Sequence, residues 1–164
     1  MSLQLKPVQS PEEIRIAAAL ADEIWHQHYG ALLGTEQVDY MVEKFQSEGA
    51  ISKQIAEGVT YVLAVDNGEP VGFCAYHPEQ ERMFLSKIYL QKAVRGKGIA
   101  RQFLNLVERE AEKMGLSAVY LTVNKENSGS IAAYKAMGFQ TVDAVKTPIG
   151  NGYFMDDYIM QKEL

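Results

Sequence analysis

The sequence predicts an α/β domain built on a mixed sheet, and three observations carry that expectation. Helical periodicity fills the first third of the chain. β-Branched runs separated by turn residues fill the middle. A glycine-rich junction then leads from a strand into a long amphipathic helix. At 164 residues the chain suffices for one domain with a real core and is too short for two ordinary ones. A single domain over residues 1–164 is therefore expected.

The elements follow in order. Ser10-Pro11-Glu12-Glu13 opens a helix, with serine as N-cap, proline at the first helical position and Glu13 placed to close a capping box. That helix is expected to run through Trp25 to His28. Val38, Met41, Val42 and Phe45 keep helical spacing after Thr35, and Ala50 to Glu57 forms a short third helix ended by Gly58. Val59–Val65 and Val71–Tyr76 read as strands joined by the hairpin turn Asp66-Asn67-Gly68-Glu69, with Pro78 closing the second. Met83–Leu90 is the next strand. Ile99–Met114 is an amphipathic helix with Phe103, Leu104, Val107, Ala111 and Met114 on one face, stopped by Gly115. Ala118–Val123 is a strand and Ser128–Met137 a short helix broken by Gly138. Strands near 140–145 and 153–161 flank Ile149-Gly150-Asn151-Gly152. The order α, α, β, β, β, α, β, α, β, β implies helices on both faces of a mixed sheet.

Bulk composition narrows the function. A net charge of −5 argues against a nucleic-acid binder, which needs a basic face to release counterions, and is permissive for a cationic substrate. One cysteine cannot form an internal disulfide, so a reducing, cytoplasmic setting is expected. No apolar stretch approaches membrane-spanning length, and no basic patch with an apolar run opens the chain. The expected partner is a small molecule, with neither nucleic acid nor membrane.

The junction Val94-Arg95-Gly96-Lys97-Gly98-Ile99-Ala100 has a specific physical use. The first amides of a helix lack internal acceptors, and the helix dipole makes that end partly positive. Gly96 and Gly98 let backbone approach phosphate oxygens, while Arg95 and Lys97 add charge. No GK[ST] closes a P-loop here, and no third glycine completes a dinucleotide fingerprint. An ordinary glycine loop before a helix is the alternative.

Downstream, Asn127-x-x-Ser130-x-x-x-Tyr134-x-x-x-Gly138-Phe139 places an amide, a hydroxyl and a phenol on a short helix. Arg95-x-x-Gly98-x-Ala100 at a strand-to-helix junction, followed at this separation by the second motif, resembles the GCN5-related N-acetyltransferase (GNAT) family over roughly residues 59–164. The resemblance implies a mixed, largely antiparallel sheet splayed between the family's fourth and fifth strands, here Met83–Leu90 and Ala118–Val123, with acetyl-CoA in the cleft. It implies that backbone groups of Ile88, Tyr89 and Leu90 pair with the pantetheine arm like an added strand. Amides of Arg95, Gly96, Lys97, Gly98, Ile99 and Ala100 would hold the pyrophosphate. Tyr134 matches the family's general acid, which protonates the departing thiolate; packing of its helix is the alternative role. A backbone amide near Ile88 would stabilise the oxyanion. Asn127 either hydrogen-bonds the pantetheine or caps the helix that starts at Ser128. Ser130 either touches the cofactor or faces solvent. Dimers are common in the family, which suggests a homodimer.

The base that deprotonates the amine is not fixed by the sequence. Glu79, Glu81, Asp156 and Asp157 are candidates against the plainer reading of solvated carboxylates. Cys74 raises a covalent acetyl-thiol route, but a cysteine inside Val71-Gly72-Phe73-Cys74-Ala75-Tyr76 reads as a small buried hydrophobe. His26 and His28 at i, i+2 point to different helix faces and His77 stands alone beside Pro78, so no metal is expected.

Acceptor choice rests on weaker signals. Trp25, His28, Tyr29 and Tyr40 could line an acceptor site or simply pack the first helices. The stretches Ile24–Tyr29 with Glu36–Tyr40, and Ile149–Tyr158, resemble the bacterial subgroup containing spermidine/spermine N-acetyltransferases. Asp156, Asp157, Glu36 and Asp39 would attract a polycation, each surface contact being worth ~0.5 kcal/mol. The leading expectation is direct acetyl transfer from acetyl-CoA to a small primary amine, best a polyamine. Acetylation of a peptide N-terminus or lysine, and a non-catalytic CoA-binding sensor, are the alternatives.

Overall fold

The computed structural model describes residues 3–164, apart from the side chains of His28, Leu32 and Lys87. The readings that involve the His28 side chain therefore lie outside the described residues. Twelve principal elements appear in the order β1 (Leu3–Pro7), α1 (Pro11–Leu33), α2 (Thr35–Gln46), α3 (Glu48–Ala56), β2 (Thr60–Asp66), β3 (Glu69–Glu79), β4 (Arg82–Leu90), α4 (Ile99–Lys113), β5 (Ala118–Asn124), α5 (Ser128–Ala136), β6 (Gln140–Gly150) and β7 (Tyr153–Glu163). Hydrogen bonding orders the strands β1-β2-β3-β4-β5-β7-β6. The chain divides into two compact units, Met1–His77 with Lys87–Phe103, and Pro78–Ser86 with Leu104–Leu164.

In the first unit, α1 starts as its sequence requires. The Ser10 hydroxyl accepts from the Glu13 N–H at 3.2 Å, and the Glu13 carboxylate accepts from the Ser10 N–H at 2.9 Å. The Gln9 and Ser10 amides hold the Glu13 carboxyl below its ordinary pKa. The helix passes His28 and ends at Gly34, whose φ of 87° suits glycine. α3 begins at Glu48, earlier than expected, because the Ser47 hydroxyl caps the Ala50 N–H at 3.2 Å. The β2–β3 hairpin turns through Asn67 and Gly68, both at positive φ, in the manner of a two-residue hairpin loop. β3 runs on through Pro78 instead of stopping there.

The sequence reading missed β1. It pairs antiparallel with β2 from Leu3↔Asp66 to Pro7↔Val62. Its only signal is the alternation of Leu3 and Leu5 with Gln4 and Lys6 over five residues.

In the second unit, β5 pairs in parallel with β4 over Arg82–Phe84 and antiparallel with β7 along its whole length. β6 is the outer strand and is exposed at every position but Ile149. It continues past Pro148 to Gly150, further than the expected 145. Leu104, Val107 and Ala111 of α4 are buried, whereas Met114 lies beyond the helix end and is 53% exposed, so it does not belong to that face. Glu108 of α4 meets Lys162 of β7 at 3.3 Å, which places α4 over the face of β7 that carries Lys162. Among the described residues no helix is long and apolar enough to cross a membrane.

Candidate functional site

The first unit carries the glycine-rich junction. β4 ends at Leu90, a single 3₁₀ turn covers Lys92–Val94, and α4 opens at Ile99. Gly96 and Gly98 have φ of 80° and 82°, a region that disfavours side chains. A Cβ at either would meet nothing within 4 Å, so the space in front of both is open. The helix's first bond runs from the Gln102 N–H to the Gly98 carbonyl at 3.2 Å. The amides of Ile99, Ala100 and Arg101 come before it and have no helical acceptor. Arg95, Gly96, Lys97 and Gly98 are exposed, while buried Ile99 anchors the turn in the core. The Arg95 guanidinium donates to the Leu90 carbonyl through Nε and Nη2, each at 3.3 Å, folding the loop back on the end of β4. Exposed amides, two open glycines and two cations fit a pyrophosphate.

Beside that strand end lies a residue that the sequence reading passed over. A Cβ on Gly72 of β3 would come within 2.4 Å of the Tyr89 carbonyl oxygen and 2.6 Å of a Leu90 methyl. Gly72 therefore lets β4 approach at the residues expected to pair with pantetheine. The sequence signal was there: a glycine inside an otherwise apolar strand marks close backbone approach.

The second unit carries the other motif on α5. The Asn127 side-chain oxygen accepts from the Ser130 N–H at 3.2 Å and caps the helix, with Asn127 itself buried. Tyr134 is half-buried, and its ring meets Phe139 edge-on at 5.7 Å between centroids. The motif residues thus fall into two sets, Ile88–Ala100 in the first unit and Asn127, Ser130 and Tyr134 in the second.

The candidate bases separate clearly. Glu79 accepts from the Tyr120 hydroxyl at 2.9 Å, and Glu81 is exposed. Asp156 is held by the Lys125 ammonium at 3.1 Å. Asp157 is 5% exposed, so it is no solvated surface carboxylate. Burial first, and the Asp156 charge second, push its pKa up to about 6 against the pull of Lys125.

Other side chains take packing roles. Trp25 and Tyr29 are buried with ring centroids 4.6 Å apart, and Trp25 meets Tyr89 edge-on at 5.7 Å. The Trp25 indole N–H has no acceptor among the described residues. Cys74 is fully buried, and burial pushes its thiol pKa up, away from the reactive thiolate. His26 joins α1 to α2, one ring nitrogen against the Asp22 carbonyl at 2.8 Å and the other against the Asp39 carboxylate. No cluster of metal-ligating side chains occurs among the described residues.

Comparison with known proteins converges on one family. The Acetyltransferase (GNAT) family model matches residues 17–139. The spermidine N(1)-acetyltransferase of Thermoplasma acidophilum is 21% identical over 168 residues, 99% of this chain and 98% of that protein. Uncharacterized N-acetyltransferases of Methanocaldococcus jannaschii and Escherichia coli are 34% identical over 87 residues and 31% over 90, respectively. Those matches cover 49% and 52% of this chain. The chain spans about half the length or less of those two relatives, 38% and 54%. The crystal structure of the PaiA N-acetyltransferase from Thermoplasma acidophilum, in complex with coenzyme A, has the same fold. Its TM-score is 0.86 at 21% identity over 100% of both chains. A GCN5-related N-acetyltransferase from Rhodopseudomonas palustris has a TM-score of 0.81 at 18% identity, over 100% of this chain and 97% of that one. With a family model spanning well over half its length, and the glycine-rich helix start lying within that span, this chain belongs to the GNAT acetyltransferase family.

Proposed function

We propose that the protein transfers the acetyl group of acetyl-CoA directly to a primary amine of a small molecule, with a polyamine as the acceptor. The observation that carries the reading is the start of α4, where open, positive-φ glycines precede helix amides that have no internal acceptor. Membership of the GNAT family supports it.

In this reading acetyl-CoA supplies an activated carbonyl carbon, and the chain positions it. The amides of residues 95–100 hold the pyrophosphate, helped by the Lys97 charge. Backbone groups of Ile88, Tyr89 and Leu90 pair with the pantetheine arm. Asn127 and Ser130, at the start of α5, contribute further contacts. Tyr134 donates its phenolic proton to the leaving sulfur. The polyamine assignment draws on the full-length similarity to a spermidine N(1)-acetyltransferase. It also draws on the exposed carboxylates Glu36 and Asp39 of α2.

Thiol release from acetyl-CoA, measured with spermidine, spermine, short diamines, amino acids, aminoglycosides and a lysine peptide, tests the reading. Saturable release with polyamines is the expected result. Release with peptide alone would keep the chemistry and replace the acceptor. Silence across the panel in a protein that still binds acetyl-CoA would favour a CoA sensor.

A further inference from the structure

We propose that the Asp157 carboxylate receives the acceptor's ammonium group and takes its proton, serving as the general base of the transfer. The inference rests on the acetyltransferase reading above and names the group that reading leaves open.

Asp157 sits within β7, in register with Asn124 of β5 on one side and Val145 of β6 on the other. Neither neighbour can neutralise it. Its own strand places Asp156 next to it, and side chains of successive strand residues point to opposite faces. The nearby cation, Lys125, is committed to Asp156 at 3.1 Å, and its amide also donates to the Asp156 carbonyl at 3.1 Å. Further along β6, the Asp143 carboxylate is occupied by the Ala144 N–H at 2.8 Å. No hydrogen bond or ion pair to the Asp157 carboxylate occurs among the described residues. A carboxylate that is 95% buried and unpaired is costly unless it is protonated or met by a ligand cation.

The location fits that role. By strand alternation Asp157 faces away from the side of β7 where Lys162 meets α4. It shares its face with half-buried Tyr120, Thr122 and Asn124 of β5 and Ile159 of β7, so that face is partly open to solvent. Asn124, the residue in register with it, ends β5. The chain then turns through Lys125 and Glu126 to Asn127, which caps the helix carrying Tyr134. One segment of the second unit thus links the proposed base to the proposed acid. A carboxyl that titrates near 6 is ionised at neutral pH and still retains affinity for a proton.

Asp157 takes one proton from R–NH3+, directly or through one water. The freed nitrogen lone pair forms the C–N bond at the thioester carbon, and the C–S bond breaks with its electron pair on sulfur. Tyr134 protonates that sulfur, and the surplus proton of the new amide nitrogen restores its phenol. Asp157 then releases its proton to solvent, one for each acetyl group transferred.

The test is the pH profile of kcat/KM for spermidine, together with the 13C titration of the Asp157 carboxyl, in the full chain. The acceptor's own ionisation is common to all variants, so differences report the protein. Asp157→Asn is expected to lower kcat/KM about 10²-fold or more and leave acetyl-CoA affinity within about twofold of wild type. Two further variants leave Asp157 itself in place. Asp156→Asn removes a like charge and should move the acidic limb to lower pH. Lys125→Met removes a cation and should move it to higher pH. In the NMR titration, bound spermidine should move the carboxyl's midpoint to lower pH. An active wild type whose acidic limb ignores both neighbours, and whose Asp157 carboxyl ignores spermidine, would overturn the role of Asp157 alone. A wild type that releases no thiol with any amine would overturn the acetyltransferase reading and this role with it.

Discussion

Tyr134 owes its place to its backbone and ring. The Met137 and Phe139 amides both donate to its carbonyl at 3.0 Å, and the ring packs against Phe139. Tyr134→Phe preserves all of this, which makes it a clean probe of the phenol. Turnover is expected to fall roughly 10²–10⁴-fold with the fold intact; near-wild-type turnover would return Tyr134 to packing. Gly98→Glu puts a carboxylate into the open space before α4 at a φ that already disfavours side chains. The acetyl-CoA dissociation constant should rise sharply, and unchanged affinity in a folded variant would sink the phosphate cradle. Asp157 also makes a prediction about stability. Its folded-state pKa is raised from 3.8 to about 6, so the native state binds the proton more tightly than the unfolded chain. Its favourable contribution is complete below about pH 4 and is lost as pH rises through 6. Asp157→Asn should therefore stabilise the protein at pH 7 by about 1–2 kcal/mol, and denaturation at pH 4 should show that gain disappearing.

At the scale of elements, the contact between β3 and β4 is sensitive to a single added methyl. Gly72→Ala places a Cβ where the Tyr89 carbonyl stands, and backbone cannot yield as a flexible side chain can. The expected cost is about 1–3 kcal/mol, with weaker acetyl-CoA binding, both readable by chemical denaturation and calorimetry. The elements that the sequence made legible are those with a local chemical signature. Ser10 and Glu13 announced α1, Asn67-Gly68 announced the hairpin, and Phe103, Leu104, Val107 and Ala111 announced α4. What stayed hidden depends on distant partners. Leu3 and Leu5 alternate too briefly to declare a strand until β2 pairs with them. β6 runs on through Pro148 to Gly150, because an outer strand tolerates a residue that lacks an N–H. The site divides in the same way. Its glycines and Tyr134 belong to spaced motifs, whereas nothing local in the sequence marks Asp157 as buried, although it is only 5% exposed on β7 between β5 and β6.

At the scale of the whole molecule, a net charge of −5 sets the long-range field. A polycationic acceptor should be drawn in electrostatically, so its KM should rise several-fold between about 20 mM and about 300 mM salt. A neutral-amine acceptor assayed alongside would show no such rise. The two outermost strands, β1 and β6, carry a different consequence. β6 offers an exposed row of backbone donors and acceptors, flanked by the apolar side chains of Val142 and Val145. That is the template from which aggregates grow. Asp143, Lys146 and Pro148, together with the irregular register between Thr141 and Asp143, interrupt it within eleven residues. Charges, a proline and a bulge are the devices that blunt an edge strand as a template for further pairing. Replacing Lys146 and Pro148 together with threonine should leave the native spectrum unchanged while concentrated solutions turn turbid on standing.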